Sequence, residues 1–231
     1  MVTIWLQKSS ANPQAEPTFM LARQVPNLVT GARLVLAVAA FAFMGEVMKV
    51  DVADLEPARG PALWAFWLFL IAAITDFADG YLARRYGWVT ALGRVADPVV
   101  DKVLILGSLT YLAASPQYAR PDDLFEVMPV WAVVLLLGRE FLVTALRGLI
   151  ESKGMEFPAD RFGKIKLVSQ VVYICIALGI LGGIPEVIHF PLLDHIRNPY
   201  FFAGVFWLMI GLTLFSGLNY CKRGIAMMKA S

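Results

Sequence analysis

Four aspartates stand in an otherwise oily stretch of chain: Asp76, Asp79, Asp97 and Asp101. They form one pattern, Asp76-x-x-Asp79-Gly80-x-x-Ala83-Arg84, then eight residues, then Gly93-x-x-x-Asp97-x-x-x-Asp101. On a helix, residues three or four apart return to the same face. Asp76 and Asp79 therefore project together, and so do Asp97 and Asp101. A carboxylate at membrane depth is costly and marks a functional site by default. Four like charges converging in low dielectric stay ionised only if cations neutralise them. Hard divalent ions with oxygen ligands, Mg²⁺ or Mn²⁺, are the natural partners.

The elements that must position these acids are membrane helices. The chain has 231 residues, of which 58% are hydrophobic. That excess points to an integral membrane protein rather than a soluble domain. A spanning helix needs roughly 20 mostly apolar residues. Six segments qualify, near 27–48, 61–84, 94–114, 126–150, 164–182 and 199–220. The aspartates occupy the end of the second span and the beginning of the third. A helix continuous through Pro98 loses a backbone hydrogen bond there, which is tolerated where the break lines a cavity. The predicted fold is thus all-α, with six transmembrane helices in one domain over 25–231 and a short interfacial arm over 1–24. In that arm Ile4, Trp5 and Leu6 suit the headgroup zone.

The connections alternate in charge. Lys8 and Arg23 precede the first span, and Arg84, Arg85 and Arg94 lie between the second and third. Lys153, Arg161, Lys164 and Lys166 lie around the fourth connection, and Lys222, Arg223 and Lys229 in the tail. The other connections carry acids instead, such as Asp51, Asp54, Asp122, Asp123 and Glu186. The positive-inside rule then places both termini and the four aspartates on the cytoplasmic side of the membrane. Cys175 and Cys221 have no metal-ligand neighbours, so no disulfide framework or cysteine metal site is expected. Met1-Val2-Thr3-Ile4-Trp5-Leu6 lacks a basic start and a small-residue cleavage site, and no cleaved signal peptide is expected. His189 and His195 fall on the side opposite the acids and read as ordinary surface residues.

Asp76 to Asp101 matches every fixed position of the signature of the CDP-alcohol phosphotransferase family, and the chain resembles that family in its six-span layout too. Eight fixed positions over 26 residues form a far more specific signal than a lone glycine motif. Members transfer a phosphoalcohol moiety from a CDP-linked donor to a hydroxyl and release CMP. The resemblance implies two metal ions held by Asp76, Asp79 and Asp97, with Asp101 beside the second ion and acting as general base. It also implies that Gly80, Ala83, Arg84, Thr90 and Gly93 form the CMP pocket. Physical chemistry agrees: a two-metal carboxylate site can clamp a pyrophosphate and neutralise charge on attacking and leaving oxygens. Any one of these aspartates alone would read as a solvated helix cap, and Asp97 before Pro98 as an N-cap. All four together with the glycines and Arg84 do not.

A second group of residues speaks to the acceptor. Arg139, Glu140 and Arg147 fall in the fourth span, and Gly163-Lys164-Ile165-Lys166 opens the fifth. Cations facing an acidic metal site suit a phosphorylated acceptor, with Arg pairing bidentately and Lys as a point charge. These stretches, with Pro26-Asn27-Leu28-Val29-Thr30 and Arg33, resemble the branch of the family that makes phosphatidylglycerophosphate. Its donor is CDP-diacylglycerol and its acceptor sn-glycerol 3-phosphate. Leu167 stands where that branch has threonine, and Arg94 where a hydrophobic residue is expected. The resemblance further implies a homodimer. Other acceptors for the same chemistry are phosphatidylglycerol, inositol phosphate or serine. Glu140 reads equally well as a packing salt bridge or a substrate ligand, and Arg161, Lys164 and Lys166 also suit contacts to anionic lipid. A cation transporter built on the acids is a different class; it is disfavoured because nothing acidic continues through the fifth or sixth span.

Overall fold

The computed structural model describes residues 17–86, 91–118, 128–155, 161–184 and 198–230; side chains are described for 28–76, 99–117, 128–155, 162–184, 198 and 200–228. Among the described residues six α-helices carry the fold: α1 (Pro17–Val47), α2 (Glu56–Tyr86), α3 (Ala91–Ala114), α4 (Val130–Ser152), α5 (Arg161–Leu181) and α6 (Pro199–Ala230). No strand occurs among the described residues. Four of the helices, α1, α2, α5 and α6, are long and apolar enough to cross a membrane by length and composition. In α4, Arg139, Glu140 and Arg147 interrupt the apolar run, and Asp101 and Lys102 do so in α3. Apart from Lys102, these are residues singled out from the sequence. The chain is an all-α integral membrane protein.

Helix boundaries follow the expected spans with two differences. α6 continues ten residues past Tyr220, so the basic tail with Lys222, Arg223 and Lys229 is helical rather than a free end. Residues 17–24 of the expected arm belong to α1, while 1–16 lie outside the described residues. α3 runs unbroken through Pro98.

Packing follows membrane rules. α1 buries Ala37, Ala40, Met44 and Val47, and α2 buries Ala58, Ala62, Ala65, Phe69 and Ala72. Both sets recur at alternating gaps of three and four, so each is one stripe, and α1 and α2 pack extensively along them. Small residues let two backbones approach closely where no hydrophobic effect drives association. Outward faces are apolar instead of polar: Trp64, Ile74, Val134 and Leu218 are each about 60% exposed. That inversion suits a lipid surround. Gly107 of α3 meets the ring of Phe41 of α1, and any Cβ there would overlap it, so glycine permits this close approach.

Beyond α1 and α2, α3 packs on α1, α4 and α5, while α6 packs on α4 and α5. The end remote from the aspartates is pinned by Gln117, whose Nε2 donates to the carbonyls of Met48 (3.2 Å) and Val50. The opposite end, where α2 finishes and α3, α4 and α5 bring their polar residues, holds the candidate site.

Candidate active site

Asp76 and Asp101 meet across α2 and α3 through a residue of α1. Arg33 is 2% exposed, and its Nη1 lies 2.6 Å from Asp76 Oδ1 and 3.0 Å from Asp101 Oδ1. An arginine inside a transmembrane span must find an anion, and here it finds two. Two carboxylates within reach of one nitrogen are also close enough to share one ion. Asp79 and Asp97 lie one helical turn away on continuous stretches of α2 and α3, but their side chains are outside those described. The same holds for Gly80, Ala83, Arg84 and Gly93, and Thr90 lies outside the described residues altogether. No trio of metal-ligating side chains occurs among the described residues. What is described fits a hard divalent ion: carboxylate oxygens from two helices, converging at one point. Asp76 and Asp101 would hold it, joined by Asp79 and Asp97 from the adjacent turns.

A cavity of about 440 Å³ opens beside this cluster between α3, α4, α5 and α6. It brings together five of the residues singled out from the sequence: Asp101, Arg139, Arg147, Lys164 and Lys166. The local reasons are simple. Arg139 and Arg147 are eight apart on α4, just over two turns, so both face the same way. Lys166 follows Gly163 by three on α5 and shares its face. Glu140 accepts from Arg139 Nη1 (2.8 Å) and from Lys166 Nζ, so it is the salt bridge that holds two of the cations. Of the two readings of Glu140, the packing salt bridge is the one its contacts bear out.

The sixth helix supplies partners that the sequence did not reveal. Arg139 Nη2 donates to Ser216 Oγ at 2.6 Å, and a Cβ on Gly217 would come within 3.0 Å of Arg139 Cγ. Glycine at 217 thus leaves room for the arginine to lie against α6. Arg147 Nη2 donates to the Tyr220 hydroxyl, and its guanidinium carbon sits 5.6 Å from the centre of that ring. Each arginine keeps its Nε buried with no partner among the described residues. Lys102 of α3 also lines the cavity and donates to Thr144 Oγ1 of α4 at 2.6 Å. Only residue type at depth could have pointed to Lys102 and Tyr220: a charged or hydroxylated group in an apolar helix needs a partner. Arg33 was singled out by resemblance, but not its two aspartate partners.

A second cavity, about 250 Å³, is almost wholly apolar. Leu70, Ala73 and Ile74 of α2, Leu104 of α3 and Val168 and Val171 of α5 line it, with Asp76 and Asp101 at its edge. Asp101 therefore faces both cavities, one basic and one oily.

The profile of the family described as CDP-alcohol phosphatidyltransferase matches residues 23–215. The chain belongs to this family. Among curated relatives, the CDP-diacylglycerol–glycerol-3-phosphate 3-phosphatidyltransferase of Bacillus subtilis is 30% identical over 211 residues, covering 90% of this chain and 98% of that protein. The protein of the same description from Rickettsia typhi is 33% identical over 156 residues, 67% of this chain and 76% of its own. A probable phosphatidylglycerophosphate synthase of Mycobacterium tuberculosis is 35% identical over 162 residues, 70% and 65% of the two chains. As a CDP-alcohol phosphatidyltransferase the chain is a membrane enzyme, and use of a divalent metal is general to its family. The matched region begins before Arg33 and ends just before Ser216, so it takes in the aspartates, Arg139, Arg147 and both lysines, and excludes Tyr220.

Proposed function

We propose that the enzyme transfers the phosphatidyl group of CDP-diacylglycerol to sn-glycerol 3-phosphate, giving phosphatidylglycerophosphate and CMP. The observation that carries this reading is the position of Asp101 at the meeting of two unlike cavities. A lipid donor needs an apolar groove beside an acidic, metal-holding centre. A small anionic acceptor needs a cation-lined polar chamber opening on the same centre. The names of the Bacillus subtilis and Rickettsia typhi relatives point to the same pair of substrates.

In this reading Arg139, Arg147, Lys164 and Lys166 hold the acceptor phosphate. Arg139, Arg147 and both lysines line the chamber together. Asp101 takes the proton of the acceptor hydroxyl. The hydroxyl oxygen forms a bond to the diacylglycerol-side phosphorus, and the bond from that phosphorus to the CMP oxygen breaks. When bound, two Mg²⁺ or Mn²⁺ ions supply charge neutralisation for the pyrophosphate. Gly80, Ala83, Arg84, Thr90 and Gly93 form the CMP side. Both termini and the site face the cytoplasm, on the positive-inside argument, and the enzyme works as a homodimer.

The test is an acceptor panel with the purified protein, CDP-diacylglycerol and Mg²⁺, read by CMP release. Glycerol 3-phosphate should be the preferred acceptor over phosphatidylglycerol, inositol phosphate and serine. Arg139→Ala and Arg147→Ala should each lower efficiency for it roughly ten- to a hundredfold, with the donor KM unchanged, because each removes a charge-assisted contact. Unchanged acceptor titrations in both variants would refute the phosphate clamp.

A further inference from the structure

One group in the basic cavity has no task in the reaction as written above. Gln170 lies on α5 one turn beyond Lys166, on the same face, and lines the same chamber as Asp101. It is 1% exposed, and its Nε2 has no hydrogen-bond partner among the described residues. Burying an amide donor unpaired is costly, so native chains rarely leave one so without use. The rest of the helix face does not need an amide there: neighbouring Leu167, Tyr173 and Ile174 pack as ordinary apolar core. In the proposed reaction the cations of the chamber take the acceptor phosphate, and an amide is not an anion's first choice. A neutral donor beside them suits a neutral oxygen.

We propose that Gln170 is a specificity-determining residue that donates its amide N–H to the non-reacting hydroxyl of the acceptor. This rests on the reading of the acceptor as glycerol 3-phosphate, whose three carbons bear a phosphate, a reacting primary hydroxyl and one further hydroxyl. The phosphate is drawn to Arg139, Arg147 and the lysines, and the primary hydroxyl to Asp101. The middle hydroxyl then falls between them, on the stretch of wall where α5 presents Gln170. A site built to bond a hydroxyl rejects an analogue lacking it, because the buried partner is left unpaired. The chamber thus selects a polyol phosphate over a simple alkyl phosphate of the same length.

The experiment compares sn-glycerol 3-phosphate with 3-hydroxypropyl phosphate, which lacks only the middle hydroxyl. CMP release is measured with the full chain, CDP-diacylglycerol and Mg²⁺. The native enzyme should favour glycerol 3-phosphate in kcat/KM by roughly ten- to a hundredfold. Gln170→Met keeps the shape without the N–H, and Gln170→Glu keeps an oxygen without the N–H. In whichever of these accumulates in the membrane, the ratio should collapse to within about threefold. A variant that slows both acceptors equally and keeps the ratio would show a purely structural Gln170 and overturn the assignment, as would a native ratio near one. If the native enzyme releases CMP with another acceptor but not with glycerol 3-phosphate, the acceptor reading itself fails, and the Gln170 assignment falls with it.

Discussion

Replacing Arg33 with Met keeps the bulk of the side chain and removes its charge. Arg33 Nη1 bonds Asp76 at 2.6 Å and Asp101 at 3.0 Å, so the variant leaves two carboxylates facing one another with no resident cation. Hydrogen bonds to charged groups contribute about 1.5–3 kcal/mol each. The two share a single nitrogen, and the aspartate side chains are 28% and 30% exposed, so water recovers part of the loss. A net cost of about 3 kcal/mol is the expectation, toward the low end for breaking a buried pair by removing one partner. For a chain of this size that lowers Tm by roughly 6–12 °C. The assay is thermal unfolding of the purified protein in detergent, with chelator and then with saturating Mg²⁺. Because a positive group has left the site, Mg²⁺ should raise Tm more in Arg33→Met than in the native protein. An unchanged Tm in chelator would show that the bridge contributes nothing. Equal Mg²⁺ protection of both proteins would refute the placement of the metal beside Arg33.

Further outcomes are expected of single changes. Asp101→Asn should bind CDP-diacylglycerol normally while turnover falls a hundredfold or more, since it loses proton abstraction; loss of donor binding in a direct binding assay would make Asp101 chiefly a ligand. Tyr220→Phe keeps the ring near Arg147 but removes the hydroxyl it bonds, so the KM for glycerol 3-phosphate should rise about fivefold with kcat little changed; an unchanged KM would mean that Arg147 needs no support from α6. Gly107→Val drives a side chain into Phe41 and should destabilise by about 1–3 kcal/mol, whereas Gly138→Ala, with nothing near its Cβ, should be silent in the same melting assay.

The sequence alone determined the fold class and, through its family signature, the class of chemistry, because both rest on local or periodic features. Long apolar runs report helices in lipid whatever their neighbours, and acids spaced at three and four share a face without any tertiary information. The spacing of Arg139 and Arg147 likewise put both on one face of α4. Which partners those groups find is set by contacts between helices far apart in the chain. Nothing near Arg33 announces that it joins Asp76 to Asp101, 43 and 68 residues further on. Glu140 had two equal readings until Lys166 came from α5 to meet it. Ser216 and Tyr220 sit in an oily helix whose pattern reports only lipid and core; their contact with the arginines depends on how α6 crosses α4. The two cavities at Asp101 have the same origin. A helix carries its own hydrogen bonds and so declares itself in one segment, but a site in lipid is the space left between helices, and that space exists only once they pack.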